Sequence, residues 1–213
     1  MKSRFSPLLA LVLVLALSLS GAAPAQAQPR AAVPVDPIVQ LILSQITQDQ
    51  ILTYTRQLAG DQPMFVDGAN YTLASRNTYS GTDIQKATSF VGQHMAALGL
   101  DVDYHTWGGA TYPNVIGEIP GLINPEQIYI IGAHLDDMPS SGRAPGADDN
   151  ASGSVATLLA ADLLSEYNWS CTLRFAFWTG EEQGLNGSAA YATRAAGQNE
   201  SIISYLNLDM IAY

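Results

Sequence analysis

The sequence predicts an α/β fold in three layers, with helices covering both faces of a mixed, largely parallel central sheet. Short apolar stretches typical of strands alternate with longer helical stretches through the second half of the chain. The stretch 151–164 is apolar on most sides, as expected for a helix buried against a sheet. Such alternation indicates a sheet covered on both faces. The 213 residues suffice for one domain with a proper core.

The first 27 residues have the pattern of a secretory signal peptide. A basic start precedes an apolar run from Leu8 to Leu19, and a small-x-small sequence ends at Ala27. A membrane-spanning anchor is the alternative, but a span requires about 20 apolar residues and this run is shorter. We therefore expect cleavage after residue 27, secretion to the extracellular space or periplasm, and no membrane attachment of the mature chain.

Residues 28–79 are predicted to form an N-terminal linker and a helical segment, followed by a main domain over 80–213. The linker, residues 28–37, is rich in Ala, Pro and Val. Apolar residues then recur at helical spacing between residues 36 and 58, which predicts one or two helices.

The main domain is predicted to alternate between helices and strands. Its first helix covers 83–98, because Thr82 and Gln85 match a capping box and Gly99 is a typical C-terminal glycine. The other expected elements are strands 113–118 and 128–133, helix 151–164, strand 173–178, helix 184–195 and strand 203–208.

The chain is acidic, with 9 Lys and Arg against 19 Asp and Glu and a formal net charge of −10. Signal cleavage would remove two basic residues and no acidic one, which leaves the mature chain more acidic still. Because an acidic surface repels phosphate groups, nucleic acids and anionic lipids are excluded as partners. The single cysteine, Cys171, allows no internal disulfide within this sequence.

Polar residues follow three of the predicted strands at the point where each strand ends. His134 and Asp136 follow the strand 128–133, the acidic pair Glu181–Glu182 follows the next one, and Asp209 follows the last. Open α/β sheets bind ligands beyond the carboxyl ends of their strands. If the three strands are parallel, these side chains emerge at one edge of the sheet.

A bound cation accounts for this acidic pattern. Each piece alone has a plain interpretation: a surface turn, a helix N-cap in the loop 146–150, or acids in the first turn of a helix. Together, four acidic clusters would repel one another, and Arg143 is the nearest basic residue in sequence. Carboxylates with one imidazole are a ligand set for zinc, and the absence of cysteine ligands indicates a catalytic type of site.

The spacing within two clusters suggests roles for their members. Residues two apart in an extended strand share a face. Asp136 can therefore accept the second ring N–H of His134 while the other ring nitrogen binds metal. One of Glu181 and Glu182 can bind metal while its neighbour takes a proton from the attacking water.

Four motifs, in this order, resemble the secreted dizinc aminopeptidases of metallopeptidase family 28, which include bacterial leucyl aminopeptidases. The motifs are Gly-Ala-His-Leu-Asp at 132–136, Pro-Gly-Ala-Asp-Asp-Asn-Ala-Ser-Gly at 145–153, Glu-Glu-Gln-Gly-Leu-Asn-Gly-Ser at 181–188 and Asn-Leu-Asp-Met at 207–210. The resemblance covers roughly residues 80–213. It implies zinc-dependent hydrolysis of N-terminal residues from peptide substrates, and we expect a monomer.

The resemblance also assigns a role to each polar residue. The metal ligands are His134, Asp148, Glu182 and Asp209, with Asp148 bridging two zinc ions. The catalytic residues are Glu181, as general base and acid, and Asp136, behind His134. A cis peptide bond, often present in the family, would join Asp148 and Asp149.

One metal site is expected to be incomplete. The family has a second histidine ligand downstream of Asp209, which completes the zinc held by Glu182, and further strands and a helix follow. The sequence stops at Tyr213, so we expect a C-terminal truncation. The other two histidines, His94 and His105, are predicted to be ordinary.

Three alternatives stay open at this point. The chain is an inactive truncated fragment or a binding module of the same fold, a glutaminyl cyclase relative, or a carboxypeptidase relative. A glutaminyl cyclase generally uses one zinc, so metal stoichiometry and product analysis would separate it from a peptidase.

Overall fold

The computed structural model describes residues 35–139 and 142–212 of the chain. The predicted signal peptide and most of the predicted linker lie outside these residues. From Pro37 onward the chain forms one compact unit, which contains the N-terminal helices as well as the residues from 80 on. Within the described part of the chain, no helix combines the length and the apolar character needed to cross a membrane.

The described residues form five α-helices, seven strands and one irregular turn. In chain order these are α1 (Pro37–Leu43), α2 (Gln48–Leu58), β1 (Met64–Val66), β2 (Ala69–Tyr71), α3 (Thr82–Ala97), β3 (Asp101–His105), β4 (Asn114–Ile119), β5 (Asn124–His134), the irregular turn (Ala147–Ser152), α4 (Gly153–Leu164), β6 (Cys171–Trp178), α5 (Asn186–Gly197) and β7 (Ser201–Asn207). Every predicted helix and strand of the second half is present. The short hairpin β1–β2 was not predicted.

Five strands form the central sheet, in the order β3-β4-β6-β5-β7. Strand β5 is parallel to both β6 and β7, whereas β4 is antiparallel to both β3 and β6. The predicted mixed sheet is therefore confirmed. The three strands that precede the acidic residues are the parallel ones, so their carboxyl ends meet at one edge.

Helices cover both faces of this sheet. Side chains alternate between faces along a strand, so Phe175 and Trp178 of β6 belong to different cores. The first core contains Val91 of α3 and Leu158 of α4, and the second contains Tyr191 of α5. The predicted three-layer arrangement is confirmed, and it fixes the sheet edge on which the polar residues lie.

The helix starts differ from the expectation at one position. Gly81 precedes α3 with a φ of 71°, and no side chain caps this helix, so the predicted capping box at Thr82 and Gln85 does not form. A capping box opens α2 instead. There the Thr47 hydroxyl accepts the Gln50 N–H at 3.2 Å, and the Gln50 side chain accepts the Thr47 N–H at 2.9 Å.

Candidate metal centre

One histidine and four acidic residues meet at the carboxyl edge of the three parallel strands. His134 ends β5, the pair Glu181–Glu182 follows β6, Asp209 follows β7, and Asp149 belongs to the irregular turn. Ligand atoms of His134, Glu181 and Glu182 lie within 4.8 Å of one another. The same holds for His134, Asp149 and Asp209. The parallel sheet thus brings together residues from four separate segments of the chain.

His134 points its Nε2 atom toward the carboxylates. This atom lies 3.1 Å from Asp149 Oδ1 and 3.6 Å from Asp209 Oδ1. Its Nδ1 lies 3.1 Å from the backbone carbonyl oxygen of Asp136, which accepts the ring N–H. Burial lowers the pKa of His134, but Asp136 and then the charges of Glu181 and Asp209 outweigh burial and raise it to about 9. A ring held in this way presents Nε2 to a cation.

Asp149, and not Asp148, faces His134. The carboxylate of Asp148 accepts the Ala212 N–H at 3.1 Å and lies 3.4 Å from the Ser152 hydroxyl. Asp149 has φ −103° and ψ 96°, which are non-helical values inside the irregular turn, and its side chain has different partners from that of Asp148. The cis peptide bond joins Asp149 to Asn150, one position later than expected. Of these two neighbours, the structure therefore brings Asp149 into the His134 cluster, and not Asp148, which the family resemblance suggested.

The carboxylate of Asp136 holds the Glu181–Glu182 turn. Its oxygens accept the Glu181 N–H at 3.2 Å, the Glu182 N–H at 3.3 Å and the Thr78 hydroxyl at 2.9 Å. Asp136 Oδ1 lies 3.7 Å from His134 Nδ1, which is beyond hydrogen-bond distance. The contact between Asp136 and His134 is therefore made by the backbone carbonyl of Asp136, and its carboxylate accepts the N–H groups of the two glutamates instead.

Glu181 and Glu182 both have pKa values raised above the ordinary range. Burial is the main cause, the neighbouring carboxylates add to it, and His134 opposes it. For Glu182 the strongest charge effect comes from Asp149. A carboxyl group with a raised pKa suits proton transfer near neutral pH.

Asn150 ties the turn of Asp149 to the segment of Asp209. Its side-chain amide donates to Leu208 O at 3.0 Å, and its Oδ1 accepts the Gly153 N–H at 3.0 Å. Asn150 is fully buried. This link was not predicted. The position of Asn150 within the second motif was the only sign of it in the sequence.

The other two histidines have partners elsewhere. His94 Nε2 lies 2.5 Å from Asp162 Oδ1, and His105 Nδ1 lies 3.0 Å from Asn114 Nδ2. Within the described part of the chain, both candidate metal groups contain His134 as their histidine. One imidazole nitrogen and several carboxylate oxygens are donors that zinc accepts, so the chemistry of the cluster fits this ion.

Comparison with known proteins supports the family resemblance that the four sequence motifs indicated. Residues 114–213 match the family model described as Peptidase family M28. Leucine aminopeptidase 1 of Ajellomyces dermatitidis is 31% identical over 183 residues, which cover 77% of this chain and 46% of the relative. A probable zinc metalloprotease of Pyrenophora teres f. teres is 28% identical over 204 residues, which cover 83% of this chain and 41% of the relative. The chain thus spans less than half the length of these relatives.

Solved structures show the same fold. The LapA aminopeptidase of Legionella pneumophila superposes with a TM-score of 0.72 at 19% identity, covering 93% of this chain and 55% of that protein. LapB of the same organism gives a TM-score of 0.72 at 22% identity, covering 85% of this chain and 48% of that protein. Both matches agree with the three-layer arrangement.

Proposed function

Since the chain belongs to peptidase family M28, we propose that it carries the zinc centre of a secreted aminopeptidase that removes N-terminal residues from peptides. The cluster around His134 is the observation that carries this proposal, because it assembles the donor set from four motifs. The names of the two relatives, a leucine aminopeptidase and a probable zinc metalloprotease, agree with it.

His134, Asp149 and Asp209 would hold one zinc ion, and Glu182 together with Asp149 would contribute to holding a second. Asp149 could serve both ions, because its Oδ1 lies 3.1 Å from His134 Nε2 and its charge also raises the pKa of Glu182. When bound, zinc supplies Lewis acidity, which makes water a better nucleophile and polarises the scissile carbonyl.

Glu181 moves the proton in this mechanism. It takes a proton from the attacking water and delivers it to the leaving amine. Its raised pKa makes the carboxylate a stronger base for the first of these transfers. The Asp136 carboxylate fixes the backbone of Glu181, so the side chain starts from a defined position beside His134.

The variant Glu181→Gln in the full gene product tests this proposal. Hydrolysis of leucine p-nitroanilide should lose at least about 100-fold in kcat, because general base catalysis contributes at least that much. The zinc content should be unchanged, and Glu166→Gln, at an exposed glutamate in a different part of the fold, serves as the control. Parallel loss of zinc and of kcat would contradict the role of Glu181. Equal hydrolysis of an N-acetylated substrate would contradict the aminopeptidase assignment.

A further inference from the structure

We propose that the buried segment Ser75–Thr78 positions the metal-binding loops, with Arg76 and Thr78 as positioning residues. The segment precedes α3 and lies outside the four motifs. None of its four residues is more than 7% exposed. The inference rests on the proposed function, because it concerns the same centre.

Arg76 connects the loops that carry His134 and Asp149. Its side chain is fully buried, its Nε donates to Leu135 O at 2.8 Å, and its Nη2 donates to Gly146 O at 2.9 Å. Leu135 directly follows His134, and Gly146 lies three residues before Asp149. The guanidinium group therefore fixes the spacing between the backbones of two ligand loops.

Asp137 holds Arg76 in this orientation. One carboxylate oxygen lies 3.4 Å from Arg76 Nη1, and the other accepts the Arg76 N–H at 2.9 Å and the Ser75 hydroxyl at 3.2 Å. The Arg76 Nη1 also donates to the carbonyls of Leu58 and Pro145. A planar guanidinium can meet several acceptors in fixed directions, whereas the ammonium group of a lysine is a compact charge whose three donors rotate freely.

Thr78 fixes the turn that carries Glu181 and Glu182. Its hydroxyl accepts the Gly180 N–H at 2.9 Å and donates to Asp136 Oδ2 at 2.9 Å. The same carboxylate accepts the N–H groups of both glutamates. A hydroxyl donates and accepts at once, and a methyl group can do neither. Loss of this hydroxyl therefore releases both the Gly180 N–H and one support of Asp136.

The variant Thr78→Val tests the role of Thr78 as a positioning residue. Thr78→Ser keeps the hydroxyl, and Thr88→Val removes a nearly buried hydroxyl that bonds only to Gln85 within α3. Each chain is titrated with Co²⁺ by visible absorption and with Zn²⁺ against a chelator. In Thr78→Val the second metal equivalent should bind about 10-fold more weakly, the range typical for groups that orient ligands, and the Co²⁺ band should change. Thr78→Ser should restore both properties, and Thr88→Val should alter neither.

The variant Arg76→Lys tests the role of Arg76 as a positioning residue. In this variant the first metal equivalent should bind about 10-fold more weakly, because the residue orients a metal ligand. Arg174→Lys is the matched control, because Arg174 is also largely buried and bonded to two carboxylates, Glu118 and Glu200. The control should keep the wild-type metal affinity even where it unfolds at a lower temperature.

Each outcome decides the inference. Unchanged metal affinities and an unchanged Co²⁺ band in both Thr78→Val and Arg76→Lys would overturn it and leave the proposed function standing. If Thr78→Val and Thr88→Val changed metal affinity equally, the segment would contribute only to general stability. That result would also overturn the inference. A wild-type chain that binds neither Co²⁺ nor Zn²⁺ would overturn the proposed function and the inference together.

Discussion

Asp148 and Asp149 are neighbours in the irregular turn, and only Asp149 faces His134. The carboxylate of Asp148 accepts the Ala212 N–H and contacts the Ser152 hydroxyl. These two identical side chains thus have different partners: Asp149 belongs to the His134 cluster, and Asp148 holds the chain after β7. Their separation makes a direct experimental comparison possible, since either substitution removes the same charge.

We expect Asp149→Asn to weaken zinc binding by at least about 100-fold, because the change removes a charged ligand. Asp148→Asn removes the same charge one residue earlier and should change zinc affinity only slightly. Isothermal titration of both variants measures the difference. A similar loss of affinity in the two variants would contradict the assignment of Asp149.

Zinc binding at pH 7 should release about one proton from His134, because zinc binds the neutral ring. The pKa of this ring is about 9 in the metal-free protein, so the ring is charged at pH 7. Zinc affinity should therefore rise between pH 7 and pH 9 and level off above that range. Calorimetry in buffers of different ionisation enthalpy measures the released proton. Constant affinity across this range would count against the orientation of His134.

The segment after β7 packs closely against the start of α4. A Cβ atom on Gly153 would lie 2.2 Å from Leu208 O and 2.6 Å from Asn150 Oδ1. Leu208 directly precedes Asp209, so the missing side chain lets the segment after β7 approach α4. Gly153 therefore has a packing function, because it leaves room for the backbone that precedes Asp209.

Gly153→Ala should weaken zinc binding, because the new methyl group displaces the backbone that carries Asp209. Alanine is otherwise the better helix former by about 1 kcal/mol. Gly197→Ala is the control, since a Cβ there meets nothing within 4 Å. It should leave zinc binding unchanged and keep or raise the melting temperature. An unaltered zinc affinity in Gly153→Ala would show that the segment after β7 can shift without cost.

The starts of α2 and α3 show that a short motif alone does not predict a helix cap reliably. The same Thr-x-x-Gln pattern occurs at Thr47 and at Thr82, and only Thr47 forms a capping box. At the second position Gly81 takes a left-handed conformation, and Asp83 accepts the N–H groups of Ala74 and Ser75. Long apolar periodicity predicted the helices themselves correctly, because burial of a whole face outweighs one cap.

Across the whole molecule, the cluster unites the end of β5, the turn before α4, and the segments that follow β6 and β7. A metal ion would therefore hold together parts of the chain far apart in sequence. In its absence the carboxylates repel one another, which is part of the reason for the raised pKa values of Glu181 and Glu182. Metal binding should consequently stabilise the folded state as a whole.

Zinc at about 100 times its dissociation constant should add about 2.7 kcal/mol to the free energy of unfolding. A chelator should reverse this gain. His134→Ala should abolish it, whereas His105→Ala, which changes a histidine outside the cluster, should retain it. Thermal unfolding with and without zinc gives the measurement, and equal melting temperatures for the wild-type chain would contradict metal binding at this site.

The sequence by itself determined the α/β class, the mixed sheet in three layers, and the edge on which His134, Glu182 and Asp209 meet. These features follow from local periodicity and from residues that directly follow strands. Only the tertiary structure decided that Asp149 and not Asp148 faces His134, that the Asp136 carboxylate holds the glutamate turn, and that Thr78 lies behind it. The first depends on backbone dihedral angles in one turn. The last depends on two hydrogen bonds of Thr78, whose partners lie 58 and 102 positions away in the sequence. No local sequence pattern encodes such contacts.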